Sequence, residues 1–202
     1  MKIICIGRNY AEHAKEMNSA IPTEPVFFMK PDTALLKEGD FYIPEFTKDL
    51  HHEIELVLKI CKVGKHIDEQ FAHKYYDEIG LGIDFTARDI QAKCKEKGLP
   101  WEKAKAFDNS APLGKMVKKE DLGDLNSINF ELKINGESRQ IGNSKDLIFS
   151  FDKVISYVSQ FVTLKQGDLI FTGTPEGVGQ VKVGDKMEGF INGVSFLTLN
   201  VK

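Results

Sequence analysis

The chain has 202 residues, 42% of them apolar and 28% charged, with a formal net charge of −3. That size allows one domain over residues 1–202 with an ample core. The charges are dispersed, so no basic arm points to nucleic acid, and no run approaches the ~18 apolar residues of a membrane span.

The opening MKIICIG reads as a first strand ended by Gly7, and the chain turns polar too soon for a signal peptide. A cytoplasmic protein is expected. NYAEHAKEM is a short helix with Tyr10, Ala14 and Met17 on one face and Asn9 as its cap. IPTEPVFFMKPDTALLKEGD holds Pro22, Pro25 and Pro31, which predicts extended loop with a strand at VFFMK. In HHEIELVLKICKV, Ile54, Leu56, Leu58 and Ile60 point one way, and Glu53, Glu55, Val57 and Lys59 the other. HIDEQFAHKYYDEIG is expected to be helical, and LGIDFT to be a strand end. Thr86 and Asp89 form a capping pattern before the helix ARDIQAKCKEK, closed by Gly98. INFELKINGESRQ and MEGFINGVSFLTLNV each place Asn-Gly between alternating arms, which marks two hairpins. Between them, Leu147, Phe151, Val154, Ile155 and Val158 keep helical spacing, and GDLIFTG is a buried strand leading to the loop TPEGVG. Cys5, Cys61 and Cys94 are widely spaced and fit reduced thiols.

Two glutamates at i and i+2 on a strand share a face, with Cα atoms roughly 6.6 Å apart. Two carboxylates 4 Å apart repel by ~4 kcal/mol at an effective dielectric near 20, and a divalent cation between them reverses the sign. Asp84, ending an apolar run before a helix, is the third candidate ligand. Such an oxygen-rich set prefers Mg²⁺, Mn²⁺ or Ca²⁺ to zinc. The plainer alternative is a solvated edge strand, with Asp84 as a turn residue and His51 and His52 as turn material. His13 and Glu16, neighbours on a helix, suit a general base acting on water, or an exposed ion pair. GTPEGVG lacks the Gly-Lys-Ser/Thr ending of a phosphate loop, so a nucleotide site is excluded; its amides and the Thr174 hydroxyl suit a carboxylate, or the segment is simply a glycine-rich connection. Lys105 presents an ammonium to an anion, or to solvent.

Taken in order, IGRNYAEHAKEM, EPVFFMKP, HHEIELVLKI, GIDFTARDIQ, KGLPWEKAKAFDNSAPLG and GDLIFTGTPEGVG resemble the fumarylacetoacetate hydrolase family, in its small single-domain acylpyruvase-like branch. The resemblance covers nearly the whole chain. It implies an α+β, β-dominated fold, a mixed β-sheet roll with peripheral helices, usually homodimeric. It implies Mg²⁺ or Mn²⁺ on Glu53, Glu55 and Asp84, and His13 with Glu16 as the water-activating pair on a lid. Lys105 falls at the family's active-site lysine, and Arg8, Gln91 and Thr174 where substrate is contacted. The expected reaction is hydrolysis of a C–C bond in acylpyruvates, small 2-oxo acids, to pyruvate and a carboxylic acid. The alternative at the same site is oxaloacetate decarboxylation or enol–keto tautomerisation.

Overall fold

The computed structural model describes residues 1–17 and 19–202. The first elements are β1 (Ile3–Gly7), α1 (Ala11–Glu16), β2 (Val26–Lys30), β3 (Leu35–Leu36) and β4 (Leu50–His52). β5 (Ile54–Ile60), β6 (Tyr76–Ile83), β7 (Thr86–Ala87), α2 (Arg88–Glu96), α3 (Glu102–Lys105) and β8 (Ala111–Lys118) follow. The remainder is β9 (Asn129–Ile134), β10 (Glu137–Asn143), α4 (Phe151–Phe161), β11 (Leu169–Phe171), β12 (Gly179–Gln180), β13 (Lys186–Ile191) and β14 (Val194–Asn200).

Seven strands form a mixed sheet in the order β2-β1-β11-β5-β6-β8-β3, with β1 parallel to β11 and β3 parallel to β8. An antiparallel sheet, β10-β9-β13-β14, packs against it, and a small sheet, β12-β4-β7, lies beside the site. This is the β-dominated roll expected, with helices at its periphery.

The alternation in β5 explains its central place. Ile54, Leu56, Leu58 and Ile60 join one apolar cluster with Leu132, Met187 and Leu199 of the second sheet and Ile155 of α4. Val57 points into a second cluster with Ile3, Cys5, Leu113 and Phe171. A strand covered on both faces belongs inside a sheet, and each fully buried aliphatic side chain contributes about 1.5–3 kcal/mol. The hairpins form where Asn-Gly sits: Asn135 and Gly136 have φ of 54° and 82°, and Asn192 and Gly193 have 48° and 80°. Paired positive φ values are the mark of a type I′ turn. Gly98, at φ 61°, closes α2 as expected. Cys5, Cys61 and Cys94 are free thiols, with Cys5 and Cys94 buried. No helix among the described residues is long and apolar enough to cross a membrane.

Three local expectations fail. The helix over residues 66–80 is only a 3-10 turn, Glu69–Lys74, before the chain extends into β6. Gly80 and Gly82 are the missed signal: a side chain at either would overlap Met116 or Phe171, so the segment fits only a tightly packed strand between β5 and β8. Asn9 does not cap α1. It is buried, donating to the carbonyls of Phe149 (3.0 Å) and Thr172 (2.8 Å) and accepting from the Phe149 amide (2.8 Å). Thr86 and Asp89 do not form a capping box either. Thr86 lies in β7, and Asp89 accepts instead from Thr47 Oγ1 at 2.6 Å, because the loop before β4 competes for its carboxylate.

The two large sheets approach closely at Gly114 of β8, where a methyl group would overlap the carbonyl oxygen of Phe196 in β14. Backbone cannot move aside as a side chain does. Gly114→Ala is expected to lower the unfolding free energy by about 1–3 kcal/mol, the usual cost of overpacking. Urea denaturation followed by circular dichroism measures it; an unchanged midpoint would refute the close contact.

Candidate metal centre and active site

Glu53 sits at the break between β4 and β5, Glu55 on β5, and Asp84 just after β6. The Asp84 amide donates to the Glu53 carbonyl at 2.8 Å, which holds the two strand ends in register. One carboxylate oxygen from each of the three residues lies within 4.8 Å of the others, and all three side chains are buried. Glu53 and Glu55 therefore do not face water.

Such a cluster demands positive charge. Arg88 donates to Glu53 Oε1 at 2.6 Å, and Lys105 bridges Glu53 Oε2 (2.7 Å) and Asp84 Oδ2 (2.8 Å). Lys30, fully buried at the end of β2, lies 2.7 Å from Asp84 Oδ1. Its ammonium is directed instead at the carbonyl and hydroxyl of Ser110 (2.7 and 3.0 Å). That approach is an ion pair without hydrogen-bond geometry, so Asp84 Oδ1 keeps an unsatisfied lone pair. Among the described residues Glu55 has no cationic partner; it accepts only the Gly173 amide, at 2.6 Å.

The ionisation states follow. Burial opposes the charge on Glu53, but Lys105 and Arg88 outweigh it and hold the carboxyl well below the usual carboxylate range. Burial likewise opposes the ammonium of Lys105, and Asp84 and Glu53 reverse that, raising its pKa. For Glu55, burial and the charges of Asp84 and Glu53 act together and push the carboxyl well above its ordinary value. Hard oxygen donors, one with no counter-charge and one with a free lone pair, fit a divalent cation.

The remaining polar groups converge on the same place. Arg8, His13, Gln91, Lys95, Lys105 and Thr174 line one pocket with the three carboxylates. Glu16 stands behind His13, with its Oε2 3.1 Å from His13 Nδ1, while its Oε1 accepts the Gly177 amide at 3.0 Å. Thr174 Oγ1 accepts from Gln140 Nε2 at 2.8 Å, and Gln91 Oε1 from Arg88 at 2.8 Å. The free space is about 40 Å³, enough for an ion or a water, so a larger ligand must displace lining groups. A wider cleft of 630 Å³ elsewhere, lined by Met116, Leu169 and Phe196, has one acid, Glu38, and no histidine.

Every expected site residue thus falls in or directly behind one pocket. Three partners escaped the sequence reading. Arg88 had a signal, its i, i+3 spacing to Gln91. Lys30 had none, because a lysine ending a strand reads as solvated. Gln140 comes from β10 of the second sheet, where only the tertiary fold brings it to the site. Its Oε1 accepts from the Ile54 amide (3.0 Å) and pairs with His52 Nδ1 (2.9 Å), and its Nε2 also donates to the Pro175 carbonyl (2.9 Å). Removing a cation from a buried pair costs about 3–5 kcal/mol, so Lys30→Met is expected to lower stability by that amount. Urea unfolding checks this, and an unchanged stability would show that Lys105 alone neutralises Asp84.

A family model for the fumarylacetoacetate (FAA) hydrolase C-terminal region matches residues 2–202. The mitochondrial oxaloacetate tautomerase of Mus musculus is 47% identical over 201 residues, covering 99% of this chain and 91% of the relative. The oxaloacetate tautomerase of Escherichia coli is 44% identical over 199 residues, covering 98% and 91%. The crystal structure of fumarylpyruvate hydrolase from Pseudomonas aeruginosa, in complex with Mn²⁺ and pyruvate, superposes with a TM-score of 0.94 at 40% identity, covering 100% of this chain and 89% of that one. Agreement of that extent, with no long stretch of either chain left over, makes this chain a member of the fumarylacetoacetate hydrolase family.

Proposed function

We propose that the protein is a divalent-metal-dependent enzyme acting on small 2-oxo acids, and that its main reaction is keto–enol tautomerisation of oxaloacetate. The observation that carries this reading is the buried triad of Glu53, Glu55 and Asp84 sharing one pocket with the His13–Glu16 pair. The two relatives named as oxaloacetate tautomerases support the substrate.

Glu53, Glu55 and Asp84 would hold Mg²⁺ or Mn²⁺, which supplies Lewis acidity to steady an enolate. The rest is done by the chain's own groups. Glu16 accepts the Nδ1 proton of His13, which leaves the Nε2 lone pair as the basic atom. Nε2 takes a proton from the carbon beside the oxo group, and the imidazolium, offset by Glu16, returns it to oxygen. Lys105 stays an ammonium because Glu53 and Asp84 hold it so; it donates to developing negative charge and does not act as a base. Thr174 Oγ1 accepts from Gln140, which frees its own proton for a substrate oxygen. Gln91 Oε1 is taken by Arg88, which leaves its NH₂ to donate. Arg8 supplies charge for a carboxylate.

A second reading is hydrolysis of acylpyruvates, favoured by the same His13–Glu16 pair. There Nε2 takes a proton from water as it attacks the distal acyl carbonyl, and pyruvate departs as its enolate. Decarboxylation of oxaloacetate needs the stabilised enolate but no base.

His13→Ala separates decarboxylation from the other two reactions. Loss of a positioned base typically costs about 10²–10⁴-fold, so ultraviolet decay of enol-oxaloacetate and pyruvate release from acylpyruvates should both fall by that factor. Decarboxylation should survive in part; equal loss of all three would exclude the role given to His13. Chelation should abolish every activity, with Mg²⁺ or Mn²⁺ restoring it. Asp84→Asn should weaken Mn²⁺ binding in calorimetry about tenfold or more, as loss of a charge-assisted contact implies. Turnover persisting in excess chelator would defeat the metal-dependent reading.

A further inference from the structure

The pocket holds more positive charge than its carboxylates consume. Arg88, Lys105 and Lys30 are each paired with Glu53 or Asp84. Among the described residues, Arg8 and Lys95 line the same pocket with no acidic partner. A divalent cation would add further positive charge. One carboxylate and one oxo group on a substrate carry too little negative charge to balance that excess.

Lys95 is placed for this by the helix that carries it. Arg88, Gln91 and Lys95 stand at i, i+3 and i+7 along α2, so they share one face, and all three line the pocket. Arg88 meets the triad, and Lys95 lies two turns further along the helix, roughly 10 Å at 1.5 Å per residue. The Lys95 ammonium lies 5.5 Å from the centroid of the Trp101 ring, another pocket residue. Lys95 as a whole residue is exposed, yet burial and then the charges of Arg88 and Arg8 lower the pKa of its ammonium. Its ammonium stands at a positively charged rim, an arrangement an anion would relieve. Arg8, at φ 59°, is held in the left-handed region, a strained placement for a residue other than glycine.

We infer that Lys95 is a specificity-determining residue, which with Arg8 binds a second carboxylate at the end of the substrate remote from the triad. The enzyme therefore selects dicarboxylic 2-oxo acids over their monocarboxylic counterparts. This rests on the proposed 2-oxo acid chemistry and adds to it the residues that read the far carboxylate.

The test compares two unreactive ligands that differ only at the far end, 2-oxoglutarate and 2-oxopentanoate, by isothermal titration calorimetry on Mg²⁺-loaded protein. Wild type should bind the diacid about tenfold or more tightly, the scale of a charge-assisted hydrogen bond. Lys95→Met should lose that preference and Lys95→Arg should keep most of it. With oxaloacetate as substrate, Lys95→Met should raise KM by about the same factor with little change in kcat, the signature of lost uniform binding. Equal affinity for the two acids in wild type, or a preference that survives Lys95→Met, would overturn the inference while leaving the 2-oxo acid reading intact. If neither acid binds wild-type protein, both readings fall.

Discussion

Charge compensation in a buried pocket governs this molecule. Three buried carboxylates whose oxygens lie within 4.8 Å of one another would repel by several kcal/mol without counter-charge, besides what each loses on leaving water. Arg88, Lys105 and Lys30 are paired with Glu53 and Asp84 inside the fold. Among the described residues Glu55 has only a backbone amide. The triad is therefore balanced but for one group, and either a proton or a cation completes it. Glu55 makes the site receptive to a hard divalent ion, and the unpaired Arg8 and Lys95 at its rim make it receptive to an anion after that ion.

The architecture delivers these charges from separate parts of the chain. Lys30 comes from the end of β2, Arg88 from the first turn of α2, and Lys105 from the end of α3. The acids come from the centre of the seven-stranded sheet, where strands buried on both faces are least able to shift. Thr172, next to the loop that carries Thr174, donates its hydroxyl to the Leu56 carbonyl at 2.9 Å. Asn9 ties the same region to the start of α1 and to Phe149. Gln140 then locks Thr174 and Pro175 against β5 from the other sheet. By contrast α1 is six residues long, buries only His13 and Ala14, and reaches the loop after β11 through the bond from Gly177 to Glu16. Its packing is thin beside that of the acids, and it carries His13.

Where local reading failed, a tertiary partner had outbid a local one. Residues 66–80 have helical periodicity, but pairing on both sides with β5 and β8 satisfies more backbone groups than a short isolated helix could. Asn9 and Asp89 have capping chemistry, yet distant partners took both side chains. Lys30 reads as a solvated strand end and is instead among the most deeply buried side chains, since Asp84 and Ser110 await it.

The amino-acid sequence by itself determined the strand alternation, the two Asn-Gly hairpins, the amphipathic α4 and the chemical types gathered at the site. Each of these depends on neighbours a few residues apart, where period and turn geometry act directly. Only the tertiary structure decided that Glu53 and Glu55 are buried, that Lys30 pairs with Asp84 while Gln140 anchors Thr174, and that, among the described residues, Arg8 and Lys95 stand without a counter-charge. Those facts depend on burial and on groups dozens of residues away, and electrostatic cost in a protein is set by surroundings that no local window contains.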